Sequence, residues 1–326
     1  MRFAGRLFRP RLPYSKVMVS PKHVSGSGKG LLDSFSFRRA LLAFFLSGIL
    51  FSFLGAILPL WEHHLKGEPK IIGSDFIALI AGLVLSMPLV RFGLNAGRIK
   101  TLLVTGSLLA AAGFLALSAV PLSTSAWWRI PGLLLVGVGG GVLNTGSIRA
   151  IFPMFQYAQW SAVNLAGAMH SLGCVLTVGL IRNTLHVYTN FAVFFFLALA
   201  PIFLAVLFQQ SRFPQPVPVR ASFRDTWRQF RAPSSILFVL LVVIQFANEY
   251  TVAGWLPLYL IRRLGVSPIT ALQLLSLFWW MLLLGRILSQ YLLRTVRHGR
   301  LMMGSLAAAL LGSVILLNTF NVSGAS

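Results

Sequence analysis

Acidic residues are the scarcest chemistry in this chain: 326 residues carry only six Asp plus Glu, against 28 Lys plus Arg. So few carboxylates leave little material for a metal centre or for an acid–base pair, and no HExxH, GxSxG or paired-cysteine signature is present. Enzymatic function is therefore not expected, nor is a cofactor or a metal. The single cysteine, Cys174, lies in an apolar run, which excludes an intrachain disulfide. Charge of either sign is sparse, at 10% of residues. Soluble domains carry roughly 25%, so a water-facing surface this poor in charge is excluded as well.

What is present is apolar. Hydrophobic residues make up 56% of the chain and the mean hydropathy is +0.80. Nine apolar segments are readable: Ala40–Trp61, Ile72–Val90, Ile99–Val120, Ile130–Ala150, Trp160–Ile181, Phe191–Gln210, Ser235–Ile261, Thr270–Tyr291 and Leu301–Phe320. Most reach the roughly 20 residues that a helix needs to cross a bilayer. Inside lipid each segment must satisfy its own backbone polar groups, so the segments are expected to be helices. The fold class is all-α and multi-pass.

The net charge of +22 does not point to nucleic acid, because the basic residues sit between apolar runs and not on one soluble face. They report topology instead. With the N-terminus inside, 22 of the 28 Lys and Arg fall on the cytoplasmic side, including Arg286 assigned to the connection after the eighth segment. Such an excess orients multi-pass proteins, so a cytoplasmic N-terminus and a location in the cell membrane (the inner one in a bacterium) are expected. Trp61, Trp127, Trp128 and Tyr259 then fall near the outer interface.

Residues 1–39 are basic and rich in Ser, Gly and Pro, and are expected to form a disordered cytoplasmic tail. The Ser25–Gly30 stretch SGSGKG lacks the Ser or Thr after its lysine and the leading glycine of a phosphate loop. Residues 40–210 form a first six-helix bundle. Residues 211–234 form a basic linker, in which Phe223, Trp227 and Phe230 recur at helical spacing beside arginines and suit a helix on the inner leaflet. Residues 235–326 begin a second bundle.

An internal repeat at an offset of 198 supports that division. LPLW at Leu58–Trp61 matches LPLY at Leu256–Tyr259, and GSLLAA at Gly106–Ala111 matches GSLAAA at Gly304–Ala309. Internal repeats build secondary transporters. On this register the second half holds only its first three helices, and three more are expected after residue 326.

Glu249 stands near the middle of the seventh segment, where a carboxylate is costly and a functional role is the default expectation. It is expected to bind a hydroxyl or carry a proton, with a structural hydrogen bond to a neighbouring helix as the competing role. Gln245 and Asn248 are placed on its face. Asn144 lies beside the Gly139–Gly141 run, whose glycines suit close helix packing. Asn164 and Ser171 share a face of the fifth segment, with His170 pointing about 120° from Asn164. Trp255 is a candidate for stacking on a ring of the solute, as are Trp279 and Trp280, with packing as the alternative. Asp75 is read as an interfacial residue at the outer end of the second segment.

Three stretches resemble the major facilitator superfamily, within it the sugar-transporting branch that includes fucose:proton symporters. RFGLNAGRIKTLL (Arg91–Leu103) is similar to the basic loop between helices two and three, without its usual aspartate. The Gly137–Gly173 region is similar to helices four and five, with Gly167 where relatives often have histidine. NEYTVAGWLPLYLIRRLGVS with SLFWWMLLLGRIL (Asn248–Leu288) is the most specific match. The resemblance runs from about Ala40 to the end and implies a twelve-helix fold and alternating access. It implies transport of a small polar solute, a sugar in the first instance, coupled to a proton by a monomer in the bilayer. Export of amphipathic drugs or lipids, and a non-transporting fragment, are the competing readings.

Overall fold

A computed structural model describes residues 35–65, 69–95, 99–121, 124–151, 155–184, 189–211, 213, 227–228, 231–296 and 298–318. The tail with Ser25–Gly30, and most of the linker with Phe223 and Phe230, lie outside the described residues. Among the described residues nine α-helices carry the fold: α1 (Phe35–Leu65), α2 (Pro69–Asn95), α3 (Ile99–Ala119), α4 (Ile130–Ile151), α5 (Phe155–Thr184), α6 (Asn190–Gln209), α7 (Pro233–Leu264), α8 (Pro268–Thr295) and α9 (His298–Leu317). A 3-10 turn, Ala126–Arg129, leads into α4. Among the described residues there is no strand, and nine helices are long and apolar enough to cross a membrane. Each expected segment is one of these helices.

The first six helices carry most of the packing among the described residues. α4 lies between α2 and α3, α6 covers α3, and α1 runs along α5. In α1 83% of the apolar window is buried inside the protein, against 0% in α9, which makes α1 the centre and α9 the rim. Small residues set the close approaches. A Cβ on Gly48 of α1 would collide with His170 O, and one on Gly173 of α5 with Phe45 O, so the two helices meet backbone to backbone. The Gly139–Gly141 run packs as expected, with a Cβ on Gly139 reaching Ala110 N at 2.6 Å and one on Gly140 meeting the Phe51 ring at 3.1 Å. Close helix contact of this kind drives association in lipid, where apolar burial alone does not. Gly173→Ala is expected to force α1 off α5, at a cost of about 1–3 kcal/mol. Thermal unfolding in detergent checks this, and an unchanged midpoint would show that the two helices can slide apart freely.

α7 and α8 close the assembly against α1 and α5. Gly265, at φ 63°, adopts the left-handed conformation that ends α7, and the Ser267 hydroxyl caps α8 by accepting from Thr270 N at 3.2 Å. The crossing of α1 and α7 bears on the repeat. Gly55 and Ala253 are related by the 198-residue offset, and a Cβ on Gly55 would run into Ala253 O. Contact between equivalent positions is what a two-fold relation between repeats produces.

Candidate functional site

A cavity of about 800 Å³ opens between α1, α2, α4, α5, α7 and α8. Its wall is mostly apolar. Phe44 and Phe51 come from α1, Phe76, Leu79 and Leu83 from α2, and Phe246 from α7. Tyr250 joins this aromatic face, stacked on Phe246 at 6.0 Å and edge-on to Phe51 at 5.9 Å. Polar groups in the lining are Ser47 and Ser52 of α1, Asn144 of α4, Asn164 and His170 of α5, and Arg286 of α8.

Arg286 is the cation of this wall, and it is held from two sides. Its Nη1 donates to Gly167 O and to Ser171 Oγ, both at 2.6 Å. Its Nη2 faces Glu249, at 3.3 Å from Oε1 and 3.5 Å from Oε2. Gly167 is the slot in which the side chain lies, since a Cβ there would stand 3.0 Å from Arg286 Cδ. Sequence reasoning placed Arg286 among the loop cations. It belongs instead to the interior of α8, and its position inside the Thr270–Tyr291 apolar segment was the available signal.

Glu249 is buried, 7% exposed, and does not line the cavity; it stands behind Arg286. Its expected companions do not join it. Gln245 and Asn248 are exposed on α7. Although Gln245 lies one turn before Glu249, Ile236, Leu237, Phe238 and Ile244 in the same half of the helix are exposed too. α7 meets its neighbours only from about Glu249 onward, so a shared helical face does not give a shared environment. Trp255 stacks on Phe76 at 5.7 Å, behind the wall and not in it.

His170 is committed at both ring nitrogens. The Ser47 hydroxyl donates to Phe44 O at 2.8 Å and lies 2.9 Å from His170 Nδ1, so Nδ1 carries the hydrogen. Nε2 then accepts from the Tyr250 hydroxyl at 3.2 Å. A neutral imidazole satisfies this chain from α1 through α5 to α7. Trp279 is fully buried with its ring edge-on to His170 at 6.4 Å, which makes it packing, and Trp280 is exposed. Asn164 and His170 both reach the wall despite their angular separation, because the cavity takes a broad arc of α5. The Asn164 amide nitrogen has no hydrogen-bond partner among the described residues.

Asp75 departs from the interfacial expectation. It is 0% exposed and pairs with Arg129 at 3.4 Å. The Arg129 guanidinium also covers the Trp61 ring at 4.5 Å, and Trp61 Nε1 donates to Asn190 Oδ1 at 3.1 Å. Trp61 is therefore core, whereas Trp127 and Trp128 are exposed as an interfacial belt requires.

Among the described residues, helices long and apolar enough to cross a membrane surround a cavity with an apolar wall and a few polar groups. The sequence pattern of the Major Facilitator Superfamily matches residues 40–325, and the chain belongs to that family. It is a multi-pass membrane protein of a family of secondary transporters that handle small solutes. Among curated proteins none matches the sequence.

Proposed function

We propose that this protein transports a small amphipathic solute by alternating access, coupled to a proton held at Glu249. The observation that carries the reading is the cavity, whose wall is mostly Phe, Leu and Ile side chains with a few polar groups, Ser47, Ser52, Asn144, Asn164 and Arg286, among them. A sugar, the solute implied by the sequence resemblance, presents hydroxyls all round. Each one buried without a partner costs about 1–3 kcal/mol, and His170 and Tyr250 already satisfy each other. A mostly apolar wall with few unengaged polar groups therefore favours a solute that is largely apolar and carries a limited polar group. The N-terminus is assigned to the cytoplasm.

Reconstitution into vesicles containing a pH-sensitive dye tests this reading. With the interior more alkaline, adding a transported amphiphile should start proton entry in protein-containing vesicles and not in empty ones. If no member of a panel of amphiphiles and sugars causes proton entry or exchanges across the membrane, the transport reading falls.

A further inference from the structure

We infer that the solute's polar end is a single negative charge, which takes the place of the Glu249 carboxylate on Arg286 while Glu249 takes up a proton. This inference rests on the transport reading of the same cavity and names the chemistry of its cargo.

Charge balance carries the argument. Arg286 reaches the cavity wall and Glu249 does not, so a solute meets the cation alone. The pair Arg286–Glu249 is neutral as it stands. A second anion against it would leave one uncompensated negative charge in apolar surroundings, which costs several kcal/mol. A buried group avoids that cost by neutralising itself, and here the carboxylate does so by taking a proton from water. The sum is again neutral: one cation, one bound anion and one uncharged acid.

Arg286 is held independently of Glu249. Its short bonds, 2.6 Å each, go to the uncharged acceptors Gly167 O and Ser171 Oγ. The bonds to Glu249, at 3.3 and 3.5 Å, are long for charge-assisted contacts, which run at about 2.7–2.9 Å. The guanidinium is thus anchored to α5 and only loosely claimed by the carboxylate of α7. The other titratable groups around the pair are His170 and Cys174 on α5 and Tyr250 on α7, all within its electrostatic reach. His170 has both nitrogens committed while neutral, and charging it would break its bond from Tyr250 and add a cation beside Arg286. Glu249 is the group of this cluster free to take the proton.

Binding to the full chain in detergent tests the inference, with 3-phenylpropanesulfonate as the probe and its neutral sulfonamide as the control. The sulfonate stays charged throughout the useful pH range, so any pH dependence belongs to the protein. The sulfonate is expected to bind at least about tenfold more tightly than the sulfonamide, and more tightly as pH falls, with close to one proton taken up per molecule bound. Proton uptake is read with an indicator dye in weak buffer. In Glu249→Gln the sulfonate should still bind, with proton uptake and pH dependence both gone. Arg286→Lys, which keeps the charge but not the fork, should weaken the sulfonate by a larger factor than the sulfonamide. Equal binding of the two probes, sulfonate binding without proton uptake, or no binding of either probe overturns the inference. Vesicle transport of a neutral amphiphile would leave the transport reading standing in each of those cases.

Discussion

Vesicles carrying Glu249→Gln are expected to lose uphill accumulation under an imposed proton gradient while still exchanging solute down its own gradient. The magnitude follows from the driving force. One pH unit is worth about 1.4 kcal/mol, or tenfold in concentration, so a two-unit gradient coupled one to one supports accumulation of about 100-fold. The variant should stay near equality. Glutamine keeps the side-chain length and one oxygen that can accept from Arg286 Nη2, which in the parent lies 3.3 Å from Oε1. What it loses is titration. Arg286 remains anchored by Gly167 O and Ser171 Oγ, so its position in the cavity should survive the exchange. A variant that accumulates solute like the parent, with the same pH profile, would make Glu249 a structural partner of Arg286 and nothing more. A chain that no longer folds would say the same, because the pair would then be required for packing alone.

The helices were legible because twenty-residue apolar runs admit one structure in lipid. Ile99–Val120 and Phe191–Gln210 became Ile99–Ala119 and Asn190–Gln209. The ends that ran longer did so where helix continues past the apolar stretch, as at Phe35, three residues before Arg38 and Arg39. The site was legible only in part. Asn144, Asn164 and His170 line the cavity, and Glu249 is buried behind Arg286, because polar residues inside apolar helices have few places to go. Partners were not legible. Arg286 lies 37 positions from Glu249 and Arg129 lies 54 from Asp75, and nothing in the linear pattern says which cation meets which acid. Periodicity also says which side of a helix a residue occupies, not whether another helix covers that side at that height. Gln245 and Asn248 are exposed while Glu249 is buried for that reason.

The same blindness to partners hid the second buried ion pair, whose removal should be costlier than its distance from the cavity suggests. Asp75 is 0% exposed and Arg129 is 4% exposed, and among the described residues neither carboxylate oxygen of Asp75 has a hydrogen-bond partner. The 3.4 Å contact with Arg129 is thus what compensates the carboxylate. Breaking a buried pair by deleting one member strands the other and costs about 3–5 kcal/mol. Among the described residues Asp75→Ala leaves Arg129 the face of Trp61, 4.5 Å away, and a cation–π contact returns about 2 kcal/mol at best. Arg129→Met leaves a bare carboxylate and should be the worse of the two. Either change loosens the same corner, where α1, α2, the 3-10 turn and α6 meet through Trp61 and Asn190. Thermal unfolding in detergent should fall by on the order of 10 °C for each single variant. The double variant Asp75→Leu, Arg129→Met is expected to recover most of that loss, since replacing a whole buried pair by apolar groups is often neutral. Single variants that melt with the parent, or a double variant as unstable as the sum of its parts, would mean that the two charges do not depend on each other.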